Sequence, residues 1–135
     1  MSYGVSAALQ VAIFGLLEGD PAVAASGAAV FDTAPPGDAP PLFVVLGAEE
    51  SFARNDKTGT GALHRFTISV VSEDQGFLKA KLLAGAVSDV LHGAAPALSR
   101  GRVVSMNFER ARARRSGPQA RRQIDLRFAA RVEDS

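Results

Sequence analysis

The sequence contains no cysteine and no tryptophan, and only two of its 135 residues are histidines. The lack of cysteine excludes disulfides and thiolate metal sites, and two histidines are too few for an imidazole-rich metal site. No apolar run approaches the roughly 20 residues of a membrane-spanning helix. The opening residues, MSYGVSAALQ, lack the basic segment of a secretory signal peptide. We therefore expect a soluble protein from a reducing compartment, with no metal, no cofactor and no membrane contact.

Residue patterns for catalysis are also missing. The stretch KTGTG at 57–61 differs from a phosphate-binding loop because its lysine precedes the glycines and a strand pattern follows. A Ser–His–Asp arrangement around His64 stays open, although no GxSxG motif supports it. His92 ends a helical pattern, where a cationic side chain interacts favourably with the helix dipole. Glu49 and Glu50 are adjacent in a loop pattern, where neighbouring carboxylates tend to point apart. We expect no catalytic residues and no enzyme activity.

Charge is abundant but unevenly distributed. The net charge is only +1, yet residues 1–99 hold ten acids and five bases, whereas residues 100–135 hold ten arginines and four acids. The densest stretch, RARARRSGPQARR at 110–122, has six arginines. Such polarity favours oriented association between copies or with a charged partner. Uniform coating of DNA is less favoured, because DNA-binding domains tend to be basic throughout.

Two segments carry apolar residues at helical spacing. The first covers residues 5–17 and is stopped by Gly19-Asp20-Pro21. The second covers residues 77–91, with side chains suited to capping at 72–74 and Gly93 after its end. Both stripes predict helices that bury one face.

Three segments before the C-terminal third are predicted strands. They are residues 28–31, residues 42–46 and the alternating residues 65–70. Residues 48–63, AEESFARNDKTGTGAL, show no periodicity and predict a long loop. We expect residues 50–62 to be mobile in the isolated subunit and to become ordered on assembly.

The C-terminal third predicts a β-hairpin, because two apolar patterns agree on one register. A turn centred on residues 117–119 pairs apolar residues across the strands and places Glu109 opposite Arg127. The predicted apolar pairs are Phe108 with Phe128, Met106 with Ala130, and Val104 with Val132. Residues 112–122 then extend beyond the apolar part, and at about 3.3 Å per residue they project roughly 15–20 Å from the core.

Together these elements predict an α+β fold in one domain, residues 1–135. An antiparallel β-sheet is covered by two α-helices, with a long mobile loop and a protruding C-terminal β-hairpin. The expected core contains Leu9, Ile13, Leu16, Val44, Ile68, Val70, Val87, Leu91, Phe108, Leu126 and Phe128.

Three interpretations of the arginine-rich tip stay open. Arginines bind phosphates well, but the tip has no aromatic residue for base stacking and no recognition helix accompanies it. A solubilising loop is the simplest interpretation. Contact with an acidic protein patch carries at least equal weight, because the same chain supplies acidic stretches at 18–20, 48–51 and 72–74.

The order of segments resembles a known family. The residues that carry the resemblance are LQVAIFGLLEGD, VFDTAPPGDAPPLFVVLG, HRFTISVVSEDQG, AKLLAGAVSDVLHG and LRFAARVEDS, which span nearly the whole chain. The sequence resembles the tail-terminator (tail-completion) proteins of long-tailed phages, most closely those of alphaproteobacterial gene transfer agents. It is distantly similar to minor tail protein U of phage lambda. The family is marked by this ordered pattern and has no catalytic signature.

The resemblance implies a structural protein of the virion, at the head–tail junction, assembled in the bacterial cytoplasm. It implies a hexameric ring that caps the tail tube, stops its growth and joins it to the head connector. Its partners would be other copies, the tail tube protein, the connector (stopper) protein and the DNA passing through the lumen. The alternative is a DNA-contacting ring or an adaptor that uses the arginine-rich tip. By analogy, the expected interface residues are Glu49, Glu50, Arg54, Asp56, Lys57, Arg110, Arg112, Arg114, Arg115, Arg121 and Arg122.

Overall fold

The computed structural model describes residues 2–33, 35, 39–54 and 61–134, and it has the α+β architecture that the sequence predicts. One five-stranded sheet is accompanied by helices along the chain. In chain order the elements are a 3-10 turn (Ser2–Val5), α1 (Ser6–Gly19), α2 (Pro21–Ala25), β1 (Ala29–Phe31), β2 (Leu42–Ala53), β3 (Gly61–Ser72), α3 (Leu78–Leu91), β4 (Arg102–Ser116) and β5 (Arg121–Glu133).

The sheet is mixed, whereas the sequence predicted an antiparallel one. Its strand order is β1-β2-β3-β5-β4, and every neighbouring pair is antiparallel except β1 and β2. A parallel pair requires a connection that returns the chain to the end where the first strand began. β1 is short and pairs only with residues 43–45 of β2.

The described residues contain a third α-helix, α2, that the sequence pattern did not reveal. Gly19-Asp20-Pro21 ends α1 as predicted, but the same residues also begin α2. The Asp20 carboxylate accepts hydrogen bonds from the backbone N–H groups of Ala22 and Val23, each at 3.1 Å. Pro21 occupies the first turn, where its missing N–H costs nothing. One aspartate therefore separates two helices and caps the second.

The core lies between α1, α3 and one face of the sheet, which we call the inner face. Nearly all of the expected core residues are buried there, with Leu16 partly buried. Phe128 is fully buried, and its ring centre lies 5.6 Å from that of Phe66 and 5.8 Å from that of Phe108. Phe108 is the exception, since 37% of it is exposed. Its exposed side borders an open trough that is also lined by Ala111, Ala113 and Gly85.

The predicted loop at 48–63 is wrong at both ends. Residues 48–53 continue β2 and residues 61–63 begin β3, with Ser51 opposite His64 and Ala53 opposite Ala62. A bulge between Leu46 and Glu49 breaks the alternation that would have marked the strand. Residues 55–60, the centre of the segment expected to be mobile, lie outside the described residues.

The hairpin register is confirmed in part. Phe108 pairs with Phe128 and Met106 with Ala130, as predicted. Two bulges shift the rest, so that Val103 lies opposite Val132, and Arg110 lies opposite Arg127. The expected protrusion is wrong for β5, which stays paired with β3 from Arg122 to Glu133 because Ile124 and Leu126 are buried against the core.

Candidate protein-interaction surface

The pleat of the sheet places alternate residues of β4 on opposite faces, and this decides where its arginines lie. Beyond the bulge, Ala111 and Ala113 pair with the buried Leu126 and Ile124 and so lie on the inner face. Arg110, Arg112 and Arg114 therefore lie on the opposite side, which we call the outer face. The RARAR pattern thus places small residues towards α3 and guanidinium groups away from it.

Three of the six arginines in residues 110–122 already have partners in the same chain. Arg114 donates to Asp125 at 2.9 Å, and Arg121 lies 3.2 Å from a carboxylate oxygen of Glu73. Arg122 packs over the ring of Phe77, 5.4 Å from its centre, and donates to the carbonyl of Ala120 at 2.6 Å. These contacts fix three side chains close to the sheet.

The side chains of the other three arginines in residues 110–122 have no ion pair or hydrogen bond within the part of the chain that the structure describes. We call Arg110, Arg112 and Arg115 the free arginines; all three are exposed. A guanidinium group presents five N–H donors that match carboxylate or phosphate oxygens. The free arginines are thus available to an anionic partner.

Two carboxylates, those of Asp125 and Glu109, bind neighbouring side chains on the outer face, close to the free arginines. Asp125 is half-buried, and burial raises its pKa, but hydrogen bonds from Gln123, Ser69 and Arg114 outweigh burial and hold the pKa below its ordinary value. Glu109, in the bulge, lies 3.1 Å from Nε of Arg65 and 3.2 Å from Nε of Arg127. The sequence pattern predicted that Glu109 faces Arg127, and the two side chains do form an ion pair, although the bulge places Arg110 opposite Arg127 in the register. Asp125 was not singled out from the sequence; its charge within an apolar strand was the available signal.

Glu49 lies in a polar cluster around a fully buried histidine. The Nδ1 atom of His64 lies 2.8 Å from the hydroxyl of Ser51 and 3.0 Å from Oε1 of Glu49. The hydroxyl of Ser6 donates to the same carboxylate oxygen at 2.8 Å. The hydrogen bond with His64 is the main reason that the pKa of Glu49 is lowered, and burial opposes it. The cluster ties the start of α1 to β2 and β3.

The same geometry answers the open question of a catalytic triad. In such a triad the serine and the acid bind opposite ring nitrogens of the histidine. Here Ser51 and Glu49 share Nδ1, while Nε2 of His64 is buried without a hydrogen-bond partner among the described residues. A proton cannot be relayed between serine and acid through this ring. We interpret the cluster as structural.

The acidic stretches expected to receive the arginines are largely engaged within the chain. Asp20 caps α2, Glu73 pairs with Arg121, and Asp74 lies 3.6 Å from Lys79. Of the acids in those stretches, the side chains of Glu18 and Glu50 make no ion pair or hydrogen bond within the described ranges, and both residues are exposed.

The structure separates the expected interface residues into two sets. Glu49, Glu50 and Arg54 lie where β2 ends, near the start of β3, whereas the hairpin turn lies at the end of the sheet where β3 finishes. Arg54 donates to the carbonyl of Ala53 at 2.9 Å, and its guanidinium lies over the ring of Phe52. Asp56 and Lys57 lie outside the described residues.

Neither a metal nor a membrane site is evident in the described part of the chain. Its histidines, aspartates and glutamates form no group of three or more suited to hold a metal ion. Its helices are all too short or too polar to cross a membrane.

Two comparisons with known proteins find similarity over most of the chain. The model of the family described as tail completion protein gp17 matches residues 11–133. Among solved structures, the chain is similar to a chain of the "Virion of native gene transfer agent (GTA) particle". The two chains are 50% identical, with a TM-score of 0.90, over 98% of this chain and 99% of the other. No curated protein matches the chain.

Proposed function

This chain belongs to the tail completion protein gp17 family, and we propose that it is a tail terminator of a gene-transfer-agent-like particle. It forms a ring that caps the tail tube, stops the growth of the tube and joins it to the head connector. The observation that carries the proposal is the 50% identity to a virion chain over 98% of this chain. In this account the protein resides in the virion, at the head–tail junction.

The distribution of charge supports a ring. A closed ring of identical subunits requires a head-to-tail interface, in which one patch meets a different patch on the next copy. The two sets of candidate residues satisfy this requirement, because the exposed Glu50 and the free arginines lie at different ends of one sheet. Because the two surfaces differ and belong to the same domain, pairing one with the other fixes the orientation of each copy relative to the next.

The free arginines support protein contacts of the hairpin with the tube, the connector or a neighbouring copy. Complementary charge at an interface selects the partner and fixes its orientation more than it adds affinity. Their exposure also means that the isolated subunit does not need them for folding. A tip that is dispensable for the fold and rich in unused donors suits recognition of acidic protein groups.

A second function is favoured by the same free arginines. Arg110, Arg112 and Arg115 lie close together in the last part of β4, so the hairpin tip presents three guanidinium groups to a polyanion. If it faces the lumen of the ring, it contacts DNA. Neutralising three phosphates implies a log–log salt slope of about −3 for duplex binding.

Reversal of the three free arginines tests the function. We expect the variant with Arg110→Glu, Arg112→Glu and Arg115→Glu to fold normally, because none of the three has a partner in the described chain. Particles made with it should show tails of uncontrolled length or unjoined heads and tails. The control is Arg131→Glu, an exposed outer-face arginine far from the turn. Normal tails in the triple variant would contradict the role of the tip.

DNA titration separates the two functions. For the protein-contact function, the wild-type subunit should bind duplex weakly and with a shallow salt slope. A slope near −3 that is abolished in the triple variant, together with normal head–tail joining, would assign the arginines to DNA in the lumen.

A further inference from the structure

The edge of the sheet formed by β4 is covered along one half and open along the other. β4 is the edge strand, and its first half is satisfied by the residues that follow α3. The N–H of Gly93 donates to the carbonyl of Met106 at 2.7 Å, and the N–H of Phe108 donates to Nδ1 of His92 at 3.0 Å. His92 thus protects a strand edge, a role that its position in the sequence did not reveal.

The second half of the same edge, Arg110–Ser116, has no such cover. Within the described residues, the backbone groups that point away from β5 on this half-strand make no hydrogen bond. An edge with unpaired N–H and C=O groups is a template for another strand, and proteins use such edges to bind extended segments. We call residues 110–116 the open half-edge.

An apolar trough runs along the inner side of the open half-edge. It has a volume of about 260 Å³ and lies between β4 and α3. Ala111, Ala113 and the exposed side of Phe108 line it from the sheet, and Gly85 lines it from α3. Lys81 and Ser88 also line it from α3, and the alanines and Gly85 leave room for the side chains of one further strand.

The outer side of the open half-edge has the opposite character. There the free Arg110 and Arg112 lie in a row, two residues apart, as alternate residues of a strand do. A strand added to this edge would direct alternate side chains to the two sides. Those on the inner side would enter the trough, and those on the outer side would meet guanidinium groups.

We propose that the open half-edge binds, by strand addition, an extended segment of a second protein in which acidic and apolar residues alternate. A second copy of this chain fits poorly, because residues 49–53 of β2, whose edge away from β3 is not paired with β1, place Glu49 on the inner face and Glu50 on the outer face. The proposal rests on the proposed function only in taking the partner to be another structural protein of the particle.

A peptide of alternating glutamate and valine tests the pattern on the isolated protein, independently of ring formation. We expect it to bind and to slow amide hydrogen exchange within residues 110–116, while exchange in α1 is unchanged. The control peptide has the same residues with the glutamates grouped at one end. We expect the affinity of the control peptide to be lower by a factor of about ten or more. Equal binding of both peptides, or binding without amide protection, would overturn the proposal.

Gly85→Leu tests the trough. A Cβ at Gly85 meets no atom within 4 Å, so the backbone there accepts a side chain, which would occupy the trough and improve the helical propensity of α3. We expect binding of the alternating peptide to fall about tenfold while the protein stays folded. The matched control is Gly15→Leu in α1, which also meets no atom within 4 Å and should leave binding unchanged.

Arg112→Glu tests the charged side, with Arg131→Glu as its control. We expect loss of peptide binding for the first variant only. Failure of the alternating peptide to bind the wild-type protein would reject the proposal while leaving the proposed function intact. Slowed exchange at residues 110–116 on concentrating the protein alone would instead identify a second copy as the occupant and contradict the assignment to a different protein.

Discussion

At the scale of single residues, Phe128 is the side chain on which packing depends most. It is fully buried between the rings of Phe66 and Phe108, where β3, β5 and β4 meet. We expect Phe128→Ala to cost about 3–5 kcal/mol in the free energy of unfolding, because its removal leaves a cavity. Phe108→Ala should cost clearly less, since Phe108 is 37% exposed. Urea unfolding of both variants measures the difference, and equal losses would contradict this description of the core.

Glu49 should make stability depend on acid pH. Its pKa is lowered from the ordinary value of 4.5, chiefly by the hydrogen bond with His64. A carboxyl with a lowered folded-state pKa contributes stability that is complete above 4.5 and is lost as the pH falls through the folded-state pKa. We expect Glu49→Gln to be less stable than the wild type at neutral pH, with the gap closing in acid. A gap that persists unchanged at low pH would rule out this linkage.

At the scale of the elements, two glycines with the same backbone conformation give a matched test of how β4 is positioned. Gly101, just before β4, has φ +73°, and Gly117, in the hairpin turn, has φ +72°. A Cβ at Gly101 would lie 2.5 Å from the carbonyl oxygen of Glu133, whereas one at Gly117 meets nothing within 4 Å.

We expect Gly117→Ala to cost about 1–2 kcal/mol, the cost of a left-handed conformation in a residue with a side chain. Gly101→Ala should cost more, because the added methyl group also pushes β4 away from β5. Thermal unfolding of the two variants tests this order. A reversed order would mean that the structure accommodates the added methyl group at Gly101 with little loss in the free energy of unfolding.

The elements also show how much of the fold could be predicted from patterns in the sequence. The helices α1 and α3 and the pairing of Phe108 with Phe128 were predictable, because apolar periodicity records which side is buried. The bulges were not, since one extra residue leaves no mark in composition. The second half of β2 was hidden for a related reason, because its exposed residues carry acids on both faces.

At the scale of the whole molecule, the sequence predicted the arginine cluster but not which arginines are free. That distinction depends on contacts between distant residues, such as Arg121 with Glu73 and Arg114 with Asp125. Likewise, Glu49 was expected to meet a partner, yet it binds His64 within the same chain. Local patterns place charges on strands, and only the register of the sheet shows which of them are already paired.

The most direct test of the account is electron microscopy of purified particles in which this chain carries a small label. The account predicts label in a single ring at the end of the tail tube nearest the head, with the hairpin tip against protein and not against DNA. Particles that lack this chain should have tails of uncontrolled length. Label along the whole tube, label at the far end of the tail, or particles without label would contradict the proposed function.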